Sequence, residues 1–429
     1  MAPDLDAVIA DLYASDWGRI VASLIRVTGD FSIAEEAAQE AFEAALKDWR
    51  GGGVPEHARA WLMRTSRNIA IDRLRRKKRF AGKLESYAVA LDDSSPEPQL
   101  PHAIPDDRLR LIFTCCHPAL ALEAQVALTL RTLAGLDTEA IARAFLVPVA
   151  TMAQRLVRAK RKIAEAKIPY VVPEPSAMPE RLHAVLTVLY LVFTEGYAAT
   201  RGASLLRSDL CAEAIRLTRV VRELSGPEVP SEVNGVLALM LLHDSRREAR
   251  VDAAGDVVVL DDQDRSRWNQ VQIAEALPLA SLALNTKDPG PFALQAGIAA
   301  VHARAARKED TDWAAILALY THLEGIQPSP LVALNRAVAV AMVEGPRAAL
   351  AIVDDLAQDG ALQDYHLLHA ARADFSRRLG AFAAAEQSYL RAIEHVGNAS
   401  ERRFLERRLG EMRAASVTGL GAIEPRFGA

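Results

Sequence analysis

The sequence predicts an all-α protein: two small helical domains joined by a flexible acidic linker, then a tetratricopeptide-like α-solenoid with one short β-hairpin insertion. Three observations predict it. Ala, Leu, Arg and Glu dominate a chain of 429 residues that is 50% hydrophobic, and β-branched runs are few, a composition that favours helix. Apolar residues recur at helical spacing through most of the chain. Near the end, Gly345 and Gly380 occupy equivalent turns roughly 35 residues apart, close to the tetratricopeptide period.

Residues 5–80 read as a compact bundle. Leu12, Ile20, Leu24 and Val27 mark one apolar face of its first helix. Ser32, with Glu35 three residues later, gives a capping-box signal for the second, IAEEAAQEAFEAALKDW. The run GGGVP at 51–55 breaks that helix. The stretch at 61–79, WLMRTSRNIAIDRLRRKKR, predicts a third helix opening on Trp61. Leu62, Ile69, Ile71 and Leu74 can face a core, and Arg64, Arg67, Arg73, Arg75 and Arg76 fall largely on other faces. The basic block at 73–79, interrupted only by Leu74, attracts phosphate through counterion release. Residues 81–105, rich in Pro, Ser and acid without an apolar period, predict an extended linker.

Residues 106–168 predict a second helical domain ending in a helix-turn-helix. Its first helix covers 138–145, Leu146 to Pro148 make the turn, and the second helix starts at about Val149, with Pro148 where its missing N–H costs little. Ile141, Ala142, Phe145, Met152, Leu156 and Ile163 form the inward face. A recognition helix needs donors for base edges and cations for phosphates beside them. Gln154 and Arg155 fit the first role, and Arg158, Lys160 and Arg161 the second.

Residues 179–414 predict a helical repeat, since each helix pair leaves an apolar face that only a neighbouring pair covers. VDAAGDVVVLDDQDRSRW interrupts it and reads as a short hairpin turning near Ala254, Gly255 and Asp256. Asp264 and Arg265 read as the cap of a helix containing Trp268. Arg402, Arg403, Arg407 and Arg408 read as a solvated final helix or a partner surface.

Several functions are excluded by what the residues offer. The net charge of −4 leaves phosphate binding to local basic tracts. Acids stand where a secretory leader would be basic, and the longest apolar run is too short for a bilayer, so a soluble, cytoplasmic protein without membrane contact is expected. Three cysteines make no disulfide framework. Cys115, Cys116 and His117 read as a packed helix end, because adjacent cysteines cannot easily chelate one zinc. No P-loop, dinucleotide fingerprint or nucleophile elbow is present. The expectation is no enzyme, no cofactor and no metal.

Together these segments resemble a bacterial RNA polymerase sigma factor of the extracytoplasmic-function (ECF) class. In IAEEAAQEAFEAAL, Glu36, Gln39, Glu40 and Phe42 match the core-binding helix of region 2.2. ARAWLMRTSRNIAIDRLRRKKR looks like regions 2.3 and 2.4, and residues 138–163 look like region 4.2. FTCCHPALALEAQVALTLRTLAGLDTEAIARAFLV, followed by a tetratricopeptide-like half, resembles the subgroup that carries such an extension.

The resemblance implies core RNA polymerase and promoter DNA as partners. Glu36, Gln39 and Glu40 would pair with basic groups of the polymerase clamp while Phe42 packs inside. Trp61, Arg64, Arg67, Asn68, Arg73, Arg75 and Arg76 would serve the minus-10 element. There Asn68 meets a flipped base, an amide offering donor and acceptor together. Gln154, Arg155, Arg158, Lys160, Arg161 and Lys162 would serve the minus-35 element. The acidic stretch at 91–107 would thread towards the active cleft, and the repeats would regulate activity, bind a protein partner or serve only as a stabilising appendage. The alternatives are a stand-alone helix-turn-helix regulator with a tetratricopeptide sensor, and an interaction scaffold with incidental basic tracts.

Overall fold

A computed structural model describes residues 5–82, 107–145, 147–174, 176–197, 208–226, 229–252, 256–397 and 399–418. The expected linker therefore lies almost wholly outside the described residues, as does Leu146 of the helix-turn-helix. The chain divides into two compact units, Met1–Val188 and Leu189–Ala429.

Unit 1 begins with α1 (Leu5–Thr28), α2 (Phe31–Gly52) and α3 (Ala58–Gly82). The α2 helix buries Ala34, Ala37, Ala38, Ala41 and Ala45 completely; methyl-sized side chains let its backbone approach its neighbours. Phe42 lies in this core, its ring 5.0 Å from Tyr13 and 6.4 Å from Trp17. The cap of α2 corrects the capping-box expectation. Asp30, not Ser32, is the N-cap, and its Oδ1 accepts from Ser32 N at 2.9 Å and Ile33 N at 3.2 Å. Glu35 is thereby free for another task. The glycine run does stop the helix, but only at Gly53, whose φ of 79° puts it in the left-handed range.

The next elements are α4 (Asp107–Cys115), α5 (Leu122–Thr132), α6 (Thr138–Ala144) and α7 (Val149–Glu165). Pro148 is the N-cap of α7, as the placement of a proline before a helix leads one to expect. Of these helices, α4 and α5 pack directly against α1. A Cβ built on Gly18 of α1 would stand 2.8 Å from the Leu133 carbonyl oxygen, so glycine permits the approach to α5. The Tyr13 hydroxyl donates to Gly135 O at 3.0 Å. After α7, the Tyr170 hydroxyl lies 2.9 Å from Ala22 O and 3.1 Å from Asp107 O. Both helical segments lie within unit 1.

The helix α8 (Met178–Tyr197) carries the division between the units. Unit 2 continues with α9 (Ser208–Leu224), α10 (Ser231–Asp244), α11 (Gln270–Leu284), α12 (Pro291–Arg304), α13 (Trp313–Ile326), α14 (Pro330–Val343), α15 (Pro346–Asp359), α16 (His366–Arg378), α17 (Phe382–His395) and α18 (Ala399–Thr418). Gly345 and Gly380, at φ 101° and 76°, make the turns of the α14–α15 and α16–α17 pairs, a backbone region that glycine enters at little cost. Leu334, Ala337, Ala349, Val353, Leu368 and Phe375 join neighbouring pairs in one apolar cluster, the stacking expected of a solenoid-like half.

The expected hairpin contracts to a single antiparallel bridge between Val251 and Val257, and the described residues contain no strand. Val259 and Leu260 turn inward at 5% and 7% exposure, which ends the alternation a strand would need. Ala254 and Gly255 lie outside the described residues. Asp264 caps a short 3-10 turn, accepting from Ser266 N at 3.0 Å, and Trp268 follows that turn. Asn269, not Asp264, caps the helix α11. Among the final arginines, Arg403 and Arg407 keep the exposure of a solvated helix and Arg408 does not. Arg403 and Arg407 pair with Asp256, and Arg408 is buried between Asp374 and Glu411.

Candidate nucleic-acid interface

The helix α3 presents its polar residues in graded fashion. Its Leu62, Ser66 and Ala70 are fully buried, a spacing of four that anchors one face. Arg64, Asn68, Arg75 and Arg76 are exposed, and Arg67 is half-buried. Trp61 is half-buried and packs edge-on against Trp49, with centroids 5.4 Å apart. Arg73 differs from the other arginines: it donates to Glu36 and, at 2.9 Å, to Glu40. Two residues assigned to polymerase and one assigned to DNA are therefore engaged with each other. Gln39 is exposed, 3.5 Å from Glu43 Oε1.

The α7 helix divides its cations between two directions. Met152, Leu156, Ala159 and Ile163 are buried. Gln154, Arg155, Arg158 and Lys162 line a cleft of about 290 Å³ together with Thr151 and the 119–124 segment. The Arg155 guanidinium is steadied 5.6 Å from the centroid of the Phe145 ring, a cation–π contact. Arg161 is exposed and lies 3.5 Å from Glu165. Lys160, expected on the DNA side, turns the other way. Its Nζ donates to Glu35 at 2.8 Å, and Arg131 Nε approaches the same oxygen at 3.3 Å.

Glu35 and Arg131 escaped the sequence reading because Glu35 sits where a capping box would place an acid. Its carboxylate is 7% exposed and holds two cations from the second helical segment. It forms one wall of a cleft of about 660 Å³ shared with Ile25, Asp30, Thr114, Leu156 and Tyr170. Asp30 binds Lys77 Nζ at 2.6 Å. Burial alone would raise the Asp30 pKa, but the hydrogen bonds from Lys77, Ile33 and Ser32 prevail and hold it below its ordinary value.

The cysteine pair is packed. Cys115 Sγ lies 3.2 Å from Thr132 Oγ1 and Cys116 Sγ 3.6 Å from Thr129 Oγ1. Burial pushes the Cys115 thiol far up and the Cys116 thiol up to about 12, so neither is a ready thiolate. Among the described residues, no three His, Cys, Asp or Glu side chains gather as a metal site, and no helix is long and apolar enough to cross a membrane.

Comparison with known proteins places this geometry. Residues 12–80 match Sigma-70 region 2, and residues 110–163 match Sigma-70, region 4. Residues 181–284 match a family of unknown function, DUF6596. An uncharacterized protein of Rhizobium meliloti (strain 1021) is 45% identical over 400 residues, covering 92% of this chain and 94% of that protein. No solved structure matches.

Proposed function

The chain belongs to the sigma-70 family, as an ECF-like factor with a C-terminal helical extension, and on that premise we propose that it directs promoter-specific initiation. Regions 2 and 4 make it a sigma factor that binds RNA polymerase and promoter DNA. In the proposed division of labour, α3 opens the minus-10 element and α7 reads the minus-35 element.

The observation that carries this reading is the exposure of two separate polar sets on helices that each bury one face. On α3, Asn68 stands among exposed arginines over a face anchored by Leu62 and Ala70. An extruded base needs its Watson–Crick edge hydrogen-bonded, which a lone amide can do. On α7, Gln154, Arg155, Arg158 and Lys162 share one groove, a mixture suited to base edges and phosphates. Glu36, Gln39 and Glu40 form the proposed polymerase contact, with Arg73 leaving the acids when polymerase cations arrive. Phe42 supports that helix from inside.

The proposed mechanism includes an opening step. Lys160 reaches DNA phosphate only after leaving Glu35, so the contact between the two halves of unit 1 must break before α7 is fully available. The C-terminal repeats are proposed to regulate this step or to bind a protein partner.

Reconstituted transcription with core RNA polymerase tests the reading. We expect promoter-dependent transcripts from the full chain, their loss in Arg158→Ala, and retained polymerase binding by that variant. Asn68→Ala should leave duplex binding intact and slow promoter opening, measured by permanganate reactivity of the unpaired bases. Tight duplex binding without any initiation would instead identify a stand-alone helix-turn-helix regulator.

A further inference from the structure

Unit 2 groups one buried and two half-buried arginines, Arg246 with Arg250 and Arg265, around neutral partners. Arg246 is 7% exposed. Its Nη2 donates to the Tyr197 hydroxyl at 2.9 Å and lies 2.9 Å from His243 Nδ1; an arginine can only donate, so Nδ1 is the acceptor. The Arg250 guanidinium lies 3.7 Å from the Tyr197 ring centroid and donates to the Tyr197 carbonyl. Arg265 and Arg246 both approach the Trp268 indole, at 4.9 and 5.9 Å. Arg265 donates to His302 O at 2.8 Å and Ala305 O at 2.6 Å. Every one of these acceptors is neutral, and among the described residues none of the three arginines forms an ion pair within 4.0 Å.

The groups repel one another. Burial pushes the guanidinium pKa values of Arg250 and Arg265 down, and Arg246 adds to both shifts. Tyr197 and Glu401 oppose the shift of Arg250, and Asp261, Glu309 and Asp310 oppose that of Arg265, without reversing either. His243 is held well below its ordinary value by burial, Arg246 and Arg250. His302 is held down to about 3 by burial, Arg246 and Arg265. Both imidazoles are therefore neutral, and the positive charge stays on the arginines.

A second observation is independent of charge. Trp268 Nε1 and His302 Nδ1 are buried without a hydrogen-bond partner. An indole N–H can only donate, and leaving it unpaired in the interior is costly. Desolvated cations beside an unused donor define the complement of an anion with several acceptor oxygens.

We propose that Arg246, Arg250, Arg265 and Trp268 form a binding site for the oxyanion group, phosphate or carboxylate, of a small ligand. The chain that carries the site also borders solvent. Ser245, Arg247 and Arg267, each adjacent in sequence to His243–Arg246 or Trp268, line a cleft of about 440 Å³. The cations of that cleft are differently disposed, since Arg247 is paired with Asp244 and Arg219 with Glu275. The site thus gives the extension a small-molecule ligand, independently of what the sigma regions recognise.

The test uses the full chain with inorganic phosphate in one arm and malonate in the other, against sodium chloride at equal ionic strength. We expect a saturable rise in unfolding temperature, with a change in tryptophan fluorescence, in at least one arm. A response to phosphate alone assigns a phosphoryl ligand, and a response to malonate alone assigns a carboxylate. Arg246→Gln should weaken the response at least tenfold. Arg158→Ala, on the nucleic-acid surface of unit 1, should keep it, which separates this site from non-specific anion binding there. Should R246Q not fold, Arg250→Gln gives the same comparison, because it leaves the Arg246 hydrogen bond to Tyr197 in place. No saturable response in either arm, or an equal response in the arginine variant, overturns the site.

Discussion

Glu35 places a carboxylate where solvent scarcely reaches, and only one of its oxygens is used. Oε2 takes both Arg131 and Lys160, while Oε1 is buried without a partner. Removing one side of such a group leaves desolvated cations behind, which costs about 3 kcal/mol. Glu35→Ala should therefore lower the stability of the chain by about that amount in urea unfolding; an unchanged midpoint would mean that the contact does not form in solution. Asp30 gives a pH prediction of known sign. Its pKa is depressed in the folded state, so its contribution is present above the ordinary value of 3.8 and is lost as pH falls through the folded value. Asp30→Asn keeps a capping oxygen but should remove that acid-side loss. Lys77 is 66% exposed, so solvent screening limits the effect to below about 1 kcal/mol. Equal acid unfolding curves for both proteins would rule it out.

At the scale of helices, the approach of α1 to α5 depends on the missing side chain of Gly18. A methyl group there meets a backbone carbonyl, which cannot rotate away as a side chain would. Gly18→Ala should cost about 1–3 kcal/mol through overpacking. Gly410 lies within α18 with nothing near its absent Cβ, and Gly410→Ala should stabilise by about 0.5–1 kcal/mol through helix propensity. Denaturant titrations of the two variants should shift in opposite directions, and a shared direction would contradict the packing. Much of this level was legible in the sequence. The proline before α7 and the glycines between helix pairs each act over a few residues, and local pattern reports local constraint. On α3 the expected face held only at Leu62, since Ile69, Ile71 and Leu74 are half-buried while Ser66 and Ala70 are buried. Glu35 was not legible, because its partners lie 96 and 125 residues away. The buried ion cluster of Arg408 with Asp374 was missed for the same reason: a run of arginines looks the same whether water or a carboxylate receives it. The hairpin was overread because four consecutive apolar residues, Val257 to Leu260, satisfy a strand pattern and an inward turn equally well.

For the molecule as a whole, the sigma segments form one unit that extends beyond the last basic helix. Tyr170 reaches back to Ala22 and Asp107, and Arg181 donates to Phe113 O. A chain cut after Lys167 should consequently be less stable in unit 1 than one cut after Glu174, which keeps Tyr170. Thermal unfolding of the two truncations decides this, and equal midpoints would assign Tyr170 no structural weight. On the face proposed for DNA, Arg158 and Lys162 are exposed. Replacing either should reduce the slope of log affinity against log salt by about 1, measured by fluorescence anisotropy on promoter duplex. The candidate promoter residues were legible because exposed cations on an apolar helix declare themselves by period. Which of them is already occupied was not: Arg73 and Lys160 carry the same formal charge as their neighbours and differ only in what faces them.

The Glu35–Lys160 contact has a thermodynamic consequence. One end lies on the helix proposed to meet polymerase and the other on the helix proposed to meet the minus-35 element, so the contact couples the two ligands if both favour the state in which it is broken. Linkage then requires reciprocity: if promoter DNA tightens polymerase binding by some factor, polymerase must tighten DNA binding by the same factor. Shortening Glu35 to alanine lifts the shared penalty before either ligand arrives, and that factor should shrink equally in both directions.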